Sequence, residues 1–201
     1  MITVGIIIVT CLISIVGFKN HDIFEKFCFT PYQMHQKKGD YFRFISSGFI
    51  HGDFAHLLFN MLTLYFFGKV LEEHIFSQTQ YVLFYFSALF FSGLNTYIKQ
   101  KNNPDYRACG ASGAVSAIIF SMVLFQPWSI VYLKFFIPIY FILFAIAYLV
   151  YSYYMSNKDA SKIAHDVHLW GALYGIAFTL ILRPESLSIF KEQIQHVPFL
   201  K

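Results

Sequence analysis

Charge is what this chain has least of: Asp, Glu, Lys and Arg supply 13% of its 201 residues, where soluble domains carry about 25%. Its Lys and Arg residues are scattered, without the basic stripe that follows a phosphate backbone, which excludes nucleic acid as a partner. The three cysteines, Cys11, Cys28 and Cys109, make an odd set with no CxxC, so neither a disulfide framework nor a thiolate zinc site is indicated. HExxH is missing too, so no helix carries a ready pair of zinc ligands with a base between them. A zinc site would have to gather His51, His56, His165 and His168 from separate segments; no metal and no other cofactor is expected. Nothing suggests inverted repeats or paired broken helices, which counts against a transporter or channel.

What is present is apolar: 57% of the residues are hydrophobic and 20% aromatic. A bilayer core about 30 Å thick needs roughly 20 mostly apolar residues per helical crossing. Six runs qualify as candidates, at about 2–18, 54–76, 80–98, 112–126, 129–154 and 165–182, and no stretch is left for a separate soluble domain. The first lacks the basic flank and small-residue cleavage site of a signal peptide, so it reads as a retained span. The expectation is one all-α membrane domain over residues 1–201. The many Phe and Tyr, such as Phe84, Phe86, Phe90 and Phe91, read as lipid-facing and interfacial filling. Residues 19–53 mix Phe, Tyr, Met and charges, and are expected to lie partly in the interface.

The fourth run is the odd one. From Ser112 to Gln126 it has fifteen residues before Pro127 stops it, too few to cross at about 1.5 Å per residue. A helix that starts inside the bilayer needs its approach buried in protein or lining a wet cavity. The polar run Lys99 to Arg107 would lead down to it.

Polar residues cluster at the mouths of three runs, where lipid exposure would be costly. His56 and Asn60, four apart, share a helix face. Ser112 sits in Gly110-Ala111-Ser112-Gly113. Taken alone, a serine there would be a small residue at a helix contact. His168 lies one turn before Gly171, which forms with Gly175 the GxxxG spacing that lets helix backbones approach closely. Gly113, Ser116 and Ala117 are small counterparts on the fourth run, so close packing of the fourth and sixth would bring His168 to Ser112. A serine activated by a neutral imidazole is a nucleophile for acyl transfer. The Ser112 N–H at a helix start, with His56 and Asn60, could meet the oxyanion. His165 competes as base from one turn earlier; the register with the glycines favours His168. Asp166 lies about 200° around the helix from His168 and points away, so a Ser-His dyad is expected rather than a triad.

Together, the Gly110–Gly113 turn, the His51, His56 and Asn60 cluster, and His168 with Gly171 and Gly175 resemble the rhomboid family of intramembrane serine proteases, over residues 39 to 182. The resemblance implies a six-transmembrane-helix bundle with a short central helix starting at the nucleophile. It also implies Ser112 as nucleophile, His168 as base, and an oxyanion hole of His56, Asn60 and the Ser112 N–H. Gly110, Gly113, Gly171 and Gly175 would supply the turn and the packing. The implied partners are transmembrane protein substrates and membrane lipid. Gly39-Asp40-Tyr41-Phe42-Arg43 resembles the family's Trp-Arg element, with Phe42 in the Trp position, and Glu72 resembles a structural carboxylate. Where many relatives carry a Tyr stacked on the imidazole, this chain has Ser116, so another group must hold His168. The other reading is a catalytically silent rhomboid-like protein that binds transmembrane clients.

Orientation sets two rules against each other. Ten Lys and Arg lie on the side of residues 19–53, 99–111 and 155–164 and five on the other, which would put the long loop in the cytoplasm. The resemblance implies the opposite, with the site opening to the extracytoplasmic side of a bacterial cytoplasmic membrane, and that reading is preferred. The fifth run and the loop around Lys158 are the expected substrate gates.

Overall fold

The computed structural model describes residues 1–37, 39–133, 136–156 and 164–198. The chain is predominantly helical: α1 (Ile2–Lys19), α2 (His21–Phe27), α3 (Pro31–Gln36), α4 (Arg43–Ser46), α5 (Phe54–Thr63), α6 (Gln78–Gln100), α7 (Ser112–Val123), α8 (Phe141–Ser156), α9 (His165–Leu182) and α10 (Glu185–Gln195). A two-stranded hairpin, β1 (Ile130–Leu133) and β2 (Ile137–Tyr140), precedes α8. Beyond Thr63, α5 runs on to Ile75 with wider π-type turns over Leu64–Gly68 and Leu71–Ile75. Three helices, Ile2–Lys19, Phe54–Ile75 and Gln78–Gln100, are long and apolar enough to cross a membrane. Among the described residues a fourth candidate arises if α9 is taken with α10, which bends from it by 112°. Helices α7 and α8 are shorter and also apolar. The Lys158 loop lies outside the described residues, as do Lys38, Lys134, Lys162 and Lys201.

The helices are turned inside out relative to a soluble bundle. On α1 the buried face is Thr3, Ile6, Thr10, Ser14 and Gly17, while Ile8, Val9, Leu12, Ile15 and Val16 are exposed. On α9, Gly171, Ala172, Gly175 and Thr179 are buried, and Trp170, Leu173 and Ile181 face out. Small and weakly polar residues inside with large apolar ones outside is how helices pack when the surroundings are lipid. Polar contacts hold α1: its first N–H groups, on Ile2 and Thr3, donate to the Glu72 carboxylate at 2.5 and 2.9 Å, and the Thr3 hydroxyl to Tyr81 Oη at 2.9 Å. A carboxylate at a helix N-terminus satisfies donors that the helix leaves unpaired.

The fifth run departs from expectation. A helix over 129–154 would have to pass Pro138, which lacks an N–H and clashes with the preceding turn. The chain instead pairs Ile130 with Tyr140, Val131 with Ile139 and Tyr132 with Pro138 in an antiparallel hairpin, and α8 begins only at Phe141. The β-branched and aromatic residues of 130–133 suit strand geometry.

Helix α7 is the centre of the bundle, buried at ten of its twelve residues from Gly113 to Val123, and packs most extensively against α9 and then α6. Its contact with α9 is backbone to backbone. A Cβ on Gly171 would lie 2.2 Å from the Gly113 carbonyl oxygen, and one on Gly175 would lie 2.1 Å from that of Ala117. Beneath the long first loop, Phe29, Met34 and Phe44 form a second small core. Arg43, buried, pins that loop by donating to the carbonyls of Glu25 at 2.6 Å and Cys28 at 2.8 Å.

The α7–α9 contact predicts that Gly175→Val will destabilise the fold by about 3 kcal/mol, the upper range for overpacking, seen as a lower Tm in detergent. Gly5→Ala, where a Cβ meets nothing within 4 Å, should leave Tm unchanged or raise it. A Gly175→Val protein as stable as the parent would mean that the two helices do not touch in this way.

Candidate active site

The turn before α7 is held from three sides. Gly110 has φ of +110°, a conformation side chains rarely adopt, and a Cβ there would lie 2.5 Å from His56 Cε1. Its N–H donates to Ser47 O at 2.8 Å, and the preceding residues are fixed by the Phe29–Ala108 bridge. Arg107 pairs with Glu25. The Ala111 N–H donates to His51 Nε2 at 3.3 Å, and His51 Nδ1 lies 3.1 Å from Ser14 Oγ, which donates to Phe49 O at 3.1 Å. Burial, and then His56, push the His51 pKa down to about 3, so the ring is neutral. Because Nε2 accepts, the proton is on Nδ1. His51 is thus a structural link between α1 and the turn.

Ser112 is the first residue of α7, and Val115 is the first to donate back into the helix. The Ser112 N–H is therefore among the donors a helix start leaves unpaired. Across the α7–α9 contact, His168 Nε2 lies 2.8 Å from Ser112 Oγ. The Tyr148 ring, from α8, lies nearly parallel to the His168 imidazole, with centroids 6.1 Å apart and planes 25° apart. The Tyr148 hydroxyl is 2.7 Å from Ser116 Oγ. Ser116 thus holds, from α7, a tyrosine that arrives from α8, and that tyrosine lies against the imidazole.

His165 is buried, edge-on to Tyr151 and to His168, and neither of its ring nitrogens has a hydrogen-bond partner among the described residues. Asp166 turns away from His168 to pair with Lys99 at 2.9 Å and accept from Asn95 at 3.3 Å.

His56 and Asn60 come from the first turns of α5, which Asp53 caps by accepting from the His56 N–H at 2.8 Å. Asn60 Nδ2 donates to the His56 carbonyl at 2.9 Å. Both residues line, with Ser112 and His168, one cavity of about 760 Å³ whose wall also includes Gly52 and Cys109. Among the described residues no three His, Cys, Asp or Glu side chains group as metal ligands.

Two participants escape sequence reading. Tyr148 is one of five tyrosines between residues 140 and 154, and nothing local sets it apart. The link from His51 to Ser14 joins segments that share no pattern. The only available signal for Ser14 is its place on the small, polar side of an otherwise apolar α1.

These features define a helical integral membrane protein with a serine and a histidine in hydrogen-bond contact on a cavity shared with His56 and Asn60. The model of the Rhomboid domain matches residues 38–185, and the chain belongs to the rhomboid family. It is similar to the RHOMBOID-like protein 12, mitochondrial, of Arabidopsis thaliana, with 28% identity over 152 residues, 68% of this chain and 45% of that protein. It is also similar to the rhomboid protease GlpG of Salmonella paratyphi A, with 24% identity over 184 residues, 90% of this chain and 61% of that protein. The chain thus spans less than two thirds of the length of either relative.

The Ser116–Tyr148 hydrogen bond predicts that Tyr148→Phe and Ser116→Ala will each destabilise the protein by about 1 kcal/mol. The double variant should cost less than their sum, with a coupling of about 0.5–1 kcal/mol in an unfolding double-mutant cycle. Strict additivity would mean that the two hydroxyls do not meet.

Proposed function

We propose that the chain is an intramembrane serine endopeptidase that hydrolyses peptide bonds in or near the transmembrane segments of other membrane proteins. The observation that carries this reading is the 2.8 Å contact between His168 Nε2 and Ser112 Oγ on a cavity shared with His56 and Asn60. Ser112 attacks the substrate carbonyl carbon while His168 takes its proton, the pairing that turns a weak hydroxyl into a nucleophile. The oxyanion that forms is met by the Ser112 N–H and by the side chains of His56 and Asn60. The imidazolium then protonates the leaving amine, and a water from the cavity, activated by the same histidine, hydrolyses the acyl-enzyme. Tyr148 takes the orienting part that a third triad member plays elsewhere, so the dyad needs no carboxylate. A substrate helix must unwind to present its carbonyl, so Gly, Pro and small residues near the cut favour cleavage.

The reading extends to the architecture. The chain forms one domain with six helices in the membrane, α1, α5, α6, α7, α8 and α9, and α7 starts at the nucleophile below the surface. The protein resides in a bacterial cytoplasmic membrane, with the cavity opening to the extracytoplasmic side and the long first loop at the headgroups. The first loop's lysines and arginines then meet lipid headgroups rather than cytosol.

Ser112→Ala and His168→Ala are each expected to abolish cleavage of a reconstituted transmembrane substrate, and Ser112→Ala to abolish labelling by a fluorophosphonate. Tyr148→Ala should slow cleavage more than Tyr148→Phe, which keeps the ring. Retained cleavage in either dyad variant would overturn the assignment. A folded wild-type protein that neither labels nor cleaves would instead be a rhomboid-like protein that binds transmembrane clients.

A further inference from the structure

Cys28 and Cys109 are far apart in the chain and belong to no motif, yet the fold sets them face to face. Phe29 and Ala108 form an isolated antiparallel bridge and exchange both backbone hydrogen bonds, at 2.8 and 3.0 Å. The position beside such a doubly bonded pair is the non-bonded one, where Cα atoms approach to about 4.5 Å and side chains come closest. That position is occupied by Cys28 and Cys109. A disulfide spans Cα separations of about 4.4–6.8 Å, a range that includes the approach of such a pair. Both backbones are already held, Cys28 by Arg43 on its carbonyl and the Cys109 segment by the bond from Gly110 to Ser47.

We propose that Cys28 and Cys109 form a reversible disulfide that staples the first loop to the turn carrying Ser112, by exchange with a low-molecular-weight disulfide of the glutathione class. The proposal does not rest on the peptidase reading. Cys109 lines the cavity shared by Ser112 and His168, whereas Cys28 is 1% exposed, so the external disulfide meets Cys109 first. A hydrogen bond from Cys28 holds the Cys109 thiol below its ordinary range, against burial and the Asp53 carboxylate, which oppose it. Donating that bond, together with burial, raises Cys28. The nucleophile is the thiolate, and Cys109 supplies it.

The Cys109 thiolate attacks one sulfur of the external disulfide, whose S–S bond breaks and expels one thiolate. Cys28 gives up its proton and attacks the Cys109 sulfur of the mixed disulfide, expelling the second. The protein loses two electrons and two protons, and the external disulfide is reduced to two thiols. Cys11 stands on α1, outside this pair.

The full-length protein, folded in detergent, is equilibrated with oxidised glutathione, then denatured in SDS with N-ethylmaleimide and mapped by mass spectrometry. Expected are near-complete loss of alkylation at Cys28 and Cys109 together, retention at Cys11, a linked Cys28–Cys109 peptide, and recovery with dithiothreitol. Cys28→Ser should stop at a glutathione adduct on Cys109, and Cys11→Ser should still close the bridge. Because Cys28 is buried and its substitution can loosen the loop, the wild-type measurement is decisive by itself. The proposal fails if both cysteines of the wild-type protein stay alkylatable. It fails equally if Cys109 keeps a glutathione adduct that Cys28 does not displace, or if Cys28 links to Cys11.

Discussion

Two carbonyl oxygens on α7, those of Gly113 and Ala117, lie where a side chain on α9 would otherwise stand. The bundle depends on this contact. Lipid offers helices no hydrophobic reward for associating, so attraction must come from close van der Waals packing and polar contacts. Glycines at 171 and 175 let the backbones meet over two turns, and Ser121 reinforces the seam further along, 2.6 Å from Thr179. The same seam fixes how far apart Ser112 and His168 stand, because each lies within a turn of its upper end. Packing and the Ser112–His168 contact are set by one helix pair.

A second layer of organisation surrounds that pair with polar links rather than apolar bulk. Ser116 and Tyr148 tie α8 to α7, His51 ties the turn before Ser112 to α1 through Ser14, and Arg43 ties the first loop to itself. Each link pairs polar groups inside the protein, where leaving them single would cost far more than the net worth of a hydrogen bond in water. The result is a site whose walls come from separate segments yet are each held by named donors and acceptors. His165, by contrast, sits edge-on to Tyr151 and His168, and neither of its ring nitrogens has a hydrogen-bond partner among the described residues.

How much of this is legible in the sequence depends on range. The start of α7 at Ser112, the shared face of His56 and Asn60, and the step from His168 to Gly171 and Gly175 are local spacings, fixed by helical geometry and readable without the fold. Pro138 is local too, but the apolar run around it masks a strand pattern, since buried strands and membrane helices draw on the same residues. Tyr148 is not legible, because which of several tyrosines meets an imidazole depends on the angle at which α8 arrives. Nor is the meeting of Cys28 with Cys109, which exists only once Phe29 has paired with Ala108. Sequence carries the register within each helix; the angles and edges between helices come from packing.

The hairpin before α8 has a bearing on the surrounding lipid. Each of its two strands pairs on one side only, which leaves outer N–H and C=O groups that hydrocarbon cannot satisfy. Such an edge belongs outside the hydrocarbon core, where water and headgroups can pair with it, and Phe136 and Ile137 stand exposed on it. Helix α7, at twelve residues, rises only about 18 Å, so the protein presents two elements of unequal reach side by side. Ten of the twelve residues are covered by protein, so the short reach of α7 is made up by the surrounding helices and not by lipid.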